Sequence, residues 1–250
     1  MNKTIWMYWR QGWEMAPPLV RACAESWRRL NPAWRVTTLT AQALREDPGL
    51  VGKMPAVAGK ALPDEALSDV IRLHLLDRHG GIWADATTYC MKPLDDWIPE
   101  VLSSGFFAFD RPGPWRMLST WFLAADAPCP IVHLWRLAAD RYWTGRDERD
   151  NYFWAHILFA QAYEQDAQVR ALWDATPKIS ADGPHCAIPY AETLLGPPSE
   201  QMIEVVRAAR WPMLKLTHKL DWPETLEGTF AGWLIDRLRQ QPDRQGRLES

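Results

Sequence analysis

The chain has 250 residues, a formal charge of −3, a pI near 6.1 and a mean hydropathy of −0.31. That length suffices for one sizeable core. The balanced charge, with no Lys/Arg cluster, excludes nucleic acid as a partner, and no apolar run approaches a membrane span. The opening MNKTIWMYWRQ reads as too short an apolar stretch for a secretory leader. Cys23, Cys90, Cys129 and Cys186 form no CxxC and have no zinc spacing with the histidines. Free thiols in a reducing, cytoplasmic setting are therefore expected, with peripheral attachment at the inner membrane face left open. Sixteen tryptophans stand out. Trp is flat and amphipathic, suited to stacking on sugars and bases, but its commoner place is the core.

In chain order, residues 4–9 read as a first strand, broken at Gln11-Gly12. Pro17-Pro18 opens a helix whose apolar positions run from Leu19 to Leu30. Residues 34–39 alternate as a second strand, so the opening is β-α-β with a parallel pair. No GxGxxG follows the first strand, which excludes a dinucleotide fingerprint. Residues 41–62 read as irregular. Pro63-Asp64-Glu65 starts the next helix, with acids where the dipole favours them, and Gly80 caps it. Residues 82–84 make a very short strand, and extended structure resumes over 87–90. Further strands are expected at 106–109 and 121–125, and helices at 131–142 and 151–164, the latter with Asp150 as its N-cap. Residues 176–200 read as loop-rich, 200–210 as helical, 214–217 as a last strand and 225–240 as a closing helix. Residues 1–240 are expected to form a single domain and 241–250 a polar, frayed tail. The alternation of strands and helices gives an α/β fold, a mixed sheet flanked by helices.

The informative stretch is SDVIRLHLLDRHGGIWADATT, residues 68–88. Asp69 and Arg72 are three apart and share a polar helix face. Their plain reading is an exposed ion pair of little energetic weight. Gly80-Gly81, however, turns the chain back, so Asp85 emerges at a strand tip, where open α/β sheets meet ligands. The alternative reading is that Asp69, Arg72 and Asp85 converge on one polar ligand.

The longer run SDVIRLHLLDRHGGIWADATTYCMKPLDDW resembles the bacterial capsular polysaccharide synthesis protein family. That family is related to DxD-containing sugar transferases such as fungal mannosyltransferases and glucosylating clostridial toxins. The shared pattern is Ser-Asp, an Arg three residues on, Gly-Gly-Ile-Trp, then an acidic motif. It extends upstream through IWMYWRQGWEMAPPLVRACAESW and downstream through LSTWFLAADAPCPIVHLWRLAADRYW and DNYFWAHILF to KLTHK, covering roughly residues 4–220.

The resemblance implies a GT-A-like nucleotide-sugar-binding fold and a glycosyltransferase. The donor would be a nucleotide diphosphate sugar, with uridine as the implied base, and the acceptor a hydroxyl of a surface or capsular polysaccharide glycan. Configuration would be retained. The resemblance matches Trp9 to a base-stacking position, Asp69 and Arg72 to residues holding ribose and donor sugar, Asp85 to the first acid of DxD, and Asp150 to the donor-sugar site. His156, on the same helix, is expected to pack inward.

The chain departs from the pattern at Asp85-Ala86-Thr87, where Thr87 replaces the second acid. Carboxylates suit hard cations better than a hydroxyl does. The expected metal ligands for Mn²⁺ or Mg²⁺ are Asp85, Thr87 and His218, completed by the diphosphate. The competing arrangement has Lys215 and Lys219 neutralise the diphosphate without a metal. Lys215, Thr217 and Lys219 are expected on one side of a strand and His218 on the other. In STWF, Thr120 takes the place of the family's Asn before Trp121. The alternative function is a catalytically inactive transferase-like module that binds glycans or nucleotides. A metal-dependent phosphate-ester hydrolase would need clustered acids that the chain scatters.

Overall fold

The structure is a computed structural model that describes residues 1–186 and 191–240, so the tail expected from residue 241 lies outside the described residues. The chain opens with β1 (Thr4–Tyr8), α1 (Pro18–Leu30) and β2 (Arg35–Leu39). β1 and β2 pair in parallel, from Thr4 opposite Arg35 to Tyr8 opposite Leu39, as the β-α-β reading requires. Residues 41–62 are not wholly irregular. They carry α2 (Ala41–Glu46) and α3 (Pro48–Val51). Thr40 nucleates α2 by accepting the Ala43 N–H at 3.0 Å, a cap too short-ranged to leave an apolar periodicity.

Next come α4 (Asp64–His79), β3 (Gly81–Ala84), β4 (Thr88–Cys90) and α5 (Ile98–Val101). β5 (Phe106–Gly113) and β6 (Arg116–Ala125) form one long hairpin, extending well beyond the apolar runs that announce them. α6 (Pro130–Trp143), α7 (Trp154–Gln165), α8 (Ala167–Ala175) and α9 (Asp182–Cys186) follow. α10 (Glu200–Ala208), β7 (Met213–Lys215) and α11 (Phe230–Gln240) close the described chain. α8 has its own N-cap, Asp166, whose carboxylate accepts the N–H groups of Gln168 and Val169. α7 starts four residues after Asp150, and Asp150 is not its cap. α7 has no side-chain cap; Asn151 accepts the Phe153 N–H at 2.8 Å and closes the turn that leads into the helix.

The main sheet has the order β2-β1-β3-β6-β5, while β4 and β7 form a separate two-stranded sheet. β3 runs parallel to β1 and antiparallel to β6, so the sheet is mixed, flanked by helices, as expected. The double glycine is forced by crowding between these neighbours. A Cβ on Gly81 would lie 2.5 Å from the Thr4 carbonyl oxygen, one on Gly80 2.8 Å from that of Ala125, and both residues have positive φ.

Strand alternation divides the core cleanly. Ile5, Met7, Ile82 and Ala84 face the α1 side with Trp27, Phe107 and Phe122. Trp6, Tyr8 and Trp83 face the opposite side, with α4, α6 and α7. Most tryptophans are indeed buried in these layers. Asp85 is two residues beyond Trp83, so its side chain belongs to the α4 side.

Candidate active site

α4 is the first wall. Its polar pair is not exposed: Asp69 is 9% and Arg72 4% accessible. The cause is the cover that β3 and β6 lay over that face. The Arg72 guanidinium donates to the Thr120 carbonyl at 2.7 Å and lies 2.7 Å from Asp69 Oδ1. Its other amino group donates to Ser68 Oγ and to Asp85 Oδ1, both at 3.2 Å. The guanidinium carbon sits 5.0 Å from the centre of the Trp83 ring, a cation–π contact. The three side chains therefore meet one another, and the reading of Asp69 and Arg72 as an exposed ion pair does not hold.

Asp85 is held on every side. Its N–H donates to the Trp121 carbonyl, and its own carbonyl accepts from Thr88 N–H and Oγ, which closes the turn after β3. Trp83 Nε1 donates to Oδ1 at 2.9 Å, and Lys215 Nζ lies 3.2 Å from Oδ2. The same ammonium donates to Thr87 Oγ1 at 2.5 Å. Lys215 reaches this place because β7 pairs antiparallel with β4, Thr88 opposite Lys215. The two carboxyls are driven apart in acidity. Burial pushes Asp69 up to about 6 despite Arg72. Burial also opposes ionisation of Asp85, but Lys215 and Arg72 outweigh it and hold that carboxyl below its ordinary range.

Trp9 forms the opposite wall. β1 and β3 are in parallel register with Trp6 opposite Trp83, so the chain leaves β1 at the level of Asp85. The following loop is clamped to the start of α4: Arg10 lies 2.7 Å from Asp64 Oδ1, and Gln11 donates to Oδ2 of the same residue. Trp9 itself packs on Ala16, Val20 and Ala86 and meets the His218 ring edge-to-face, centroids 5.0 Å apart. His218 is pushed below its ordinary pKa by partial burial and by Lys215 and Lys219. The strand ends at Lys215, so the expected alternation fails, and His218 stands beside Trp9 within the influence of Lys215 and Asp85. Lys219 is exposed, and its charge reaches Glu65 and His218.

The donor set does not suit a divalent ion as it stands. Both Asp85 oxygens are engaged by cationic or indole donors, and the Thr87 hydroxyl accepts from Lys215. Among the described residues no three His, Cys, Asp or Glu side chains are grouped to hold a metal. An ion arriving with a diphosphate would gain Asp85 only by displacing Lys215.

Asp150 falls outside this cluster. Its side chain is largely exposed and bound to α6, accepting from Tyr142 Oη at 2.5 Å and Arg146 at 2.9 Å. Its neighbour Arg149 is the residue that turns inward, 2.7 Å from Glu65 on α4, with its charge also bearing on Asp69. Sequence reasoning gave no signal for Arg149, since a helix-start motif does not say which of two adjacent side chains faces the cleft. Trp83 was legible only as strand filling, yet its indole N–H fixes the key carboxylate. His156 is half-buried, and burial with Arg116 and Arg72 holds it neutral, down to about 3. Cavities of about 520 Å³ along α6 and α7 and 560 Å³ between α1 and α11 lie elsewhere. Asp85, with its side chain 23% exposed, lines neither.

The fold and site define an α/β protein with paired carboxylates, a guanidinium and an ammonium at the carboxyl ends of its strands. The chain belongs to the capsular polysaccharide synthesis protein family, whose profile matches residues 1–234. It is 28% identical over 166 residues to the O-glycosyltransferase braB of Annulohypoxylon truncatum, covering 58% of this chain and 38% of that protein. It is 28% identical over 148 residues to the O-glycosyltransferase PaGT of Phomopsis amygdali, covering 49% and 34%. The chain thus spans little more than a third of these fungal relatives. Among solved structures, PaToxG Glycosyltransferase gives a TM-score of 0.47 at 16% identity, over 68% of this chain and 73% of that one. An active-site mutant of LgtC gives 0.46 at 11%, over 98% and 99%.

Proposed function

We propose that the protein is a glycosyltransferase of GT-A type that moves a sugar from a nucleoside diphosphate donor to a hydroxyl of a glycan acceptor. The observation that carries this is the Asp69–Arg72–Asp85–Lys215 cluster at the strand ends. Family membership and the fungal O-glycosyltransferase relatives support it.

In this reading Trp9 stacks on the base, with uridine the first to test. Asp69 and Arg72 hold the ribose and donor sugar. The acceptor oxygen attacks the anomeric carbon and the bond from that carbon to the diphosphate oxygen breaks. The electron pair leaves with the nucleoside diphosphate, and the acceptor's proton passes to a phosphate oxygen. Both cluster carboxylates are engaged, Asp69 by Arg72 and Asp85 by Arg72, Trp83 and Lys215, so attack from the leaving-group face, with retention, is the route this reading takes. Negative charge grows on the diphosphate. Lys215, oriented by Asp85 and Thr87, is placed to meet it, with His218 and Lys219 further along the cleft. Asp85 then acts on the phosphate through the ammonium between them rather than facing it bare. A surface or capsular polysaccharide is the acceptor class the family suggests. No described helix is long and apolar enough to cross a membrane, and docking on membrane-bound assembly machinery is compatible with that.

The test is release of nucleoside diphosphate from UDP- and GDP-linked hexoses, with and without added oligosaccharide. Turnover that vanishes in Asp85→Asn supports transfer. Nucleotide binding without turnover of any donor would favour the inactive binding module instead.

A further inference from the structure

Few large apolar side chains among the described residues are exposed, and two of them stand together. Trp115, at the tip of the β5–β6 hairpin, is 54% accessible, and Tyr152, just before α7, is 53%. Phe153 joins them, its ring centre 5.1 Å from that of Trp115 and 5.0 Å from that of Tyr152. Two guanidiniums complete the patch. Arg116 lies 4.6 Å from the Phe153 ring centre and Arg149 5.0 Å from that of Tyr152. An aromatic patch left in water beside cationic forks marks a binding surface rather than a leftover of packing.

This ledge adjoins the charged cleft. Arg149 spans from Tyr152 to Glu65 on α4, at 2.7 Å. His156 lies one helical turn from Phe153, ring centres 5.6 Å apart, and feels Arg116 and Arg72 together. His185 on α9 feels both Lys215 and Arg116. Trp9 and His218 stand at the other wall. The charged cluster thus has Trp9 and His218 in its neighbourhood on the β1 side, and on the α7 side it is tied through Arg149 and His156 to the aromatic patch.

We infer that Trp115, Tyr152 and Phe153, flanked by Arg116 and Arg149, form the acceptor subsite and take the sugar rings of a glycan. The C–H face of a hexose lies on an aromatic ring while its hydroxyls reach the guanidinium forks. The inference rests on the proposed transfer reading.

The experiment is a glycan array of neutral and acidic oligosaccharides, probed in saturating UDP with wild type, Trp115→Ala, Tyr152→Ala and the double variant. UDP affinity is measured in parallel by calorimetry. These side chains are exposed, so unchanged thermal melting is expected and is checked. Wild type should retain a defined set of glycans, each single variant should lose about tenfold in retention, and the double variant should retain none, with UDP affinity unchanged throughout. Trp115→Phe should recover part of the signal. Equal retention by wild type and double variant overturns the inference. So does Trp115-dependent binding of anionic phospholipid vesicles with no glycan retained. Glycan retention that depends on the ledge while no form binds UDP keeps the inference and sinks the donor reading.

Discussion

One helix, α4, carries two charged networks that look alike and are built for different ends. At its start, Asp69 and Arg72 meet Asp85 and Lys215. About a turn and a half on, His74 and Asp77 meet α6. Arg136 bridges Asp77 at 2.5 Å and Asp140 at 2.6 Å, and the His74 ring sits between two acceptors, the Val51 carbonyl 3.1 Å from Nδ1 and the Asp140 carboxylate 2.9 Å from Nε2. His133 adds a contact to Asp77 at 3.1 Å. The second network is closed. It joins two helices, its carboxylates are matched by donors on the neighbouring helix, and Asp140, though partial burial opposes ionisation, is held below its ordinary pKa by His74 and Arg136. The first draws its members from α4, β3 and β7, sits at strand ends, and holds one acid raised and one lowered. Adjacent carboxyls driven apart in acidity are common where a site does chemistry, which accords with the proposed function.

The comparison breaks most sharply at Lys215. Lys215→Ala should lower kcat by about 10²–10³-fold, the range for removing one preorganised charge-stabilising donor. Wild-type turnover should survive excess chelator. Loss of turnover in chelator with restoration by Mn²⁺ would return Asp85 and Thr87 to a metal. Asp140→Ala is the converse: it should cost about 2 kcal/mol of stability, seen as a lower midpoint in denaturant, because the buried His74 imidazole and the partly buried Arg136 guanidinium lose their partner. Its kcat, per folded molecule, should not change. Trp9→Ala should weaken nucleoside diphosphate binding by about 1–3 kcal/mol in calorimetry, as for a lost base–aromatic stack.

A last measurement distinguishes the two networks by pH. Asp69 is raised to about 6 in the fold, so between about pH 4 and 6 the folded state holds a proton that the unfolded chain has released. Stability from this group is full at the acid end of that window and lost as pH rises through it. Thermal melting of Asp69→Asn should therefore gain on wild type as pH rises from 4 to 6. Parallel curves would mean Asp69 titrates normally and the first network is merely another fastening.

The parts of this molecule written in local pattern were readable in advance. Apolar spacing gave α1, α4 and α6, and the Gly-Gly before a short strand placed Asp85 at a tip because both neighbouring strands press on that backbone. The resemblance carried the family and the acidic motif. What could not be read depended on which elements meet. Burial of Asp69 and Arg72 comes from β6 covering α4, a contact between residues 48 apart in the case of Arg72 and Thr120. The end of β7 at Lys215 decides that His218 joins Trp9 rather than facing away. The inward turn of Arg149, in place of Asp150, follows from Tyr142 and Arg146 capturing the aspartate. The starts of α2 and α8 were set by single capping side chains, which leave little periodic trace.

Lys215 also fixes a moment in the life of each chain. The five-stranded sheet has all its strands by Ala125, whereas the ammonium that meets Thr87 follows it by 128 positions. Contacts of such long separation form late, and synthesis proceeds from the N-terminus. A nascent chain can therefore acquire its main sheet, with Asp85 in place, while still lacking the group that answers that carboxylate. On the proposed function, competence arrives only with β7, so a copy unfinished or clipped before it would be folded in large part and silent.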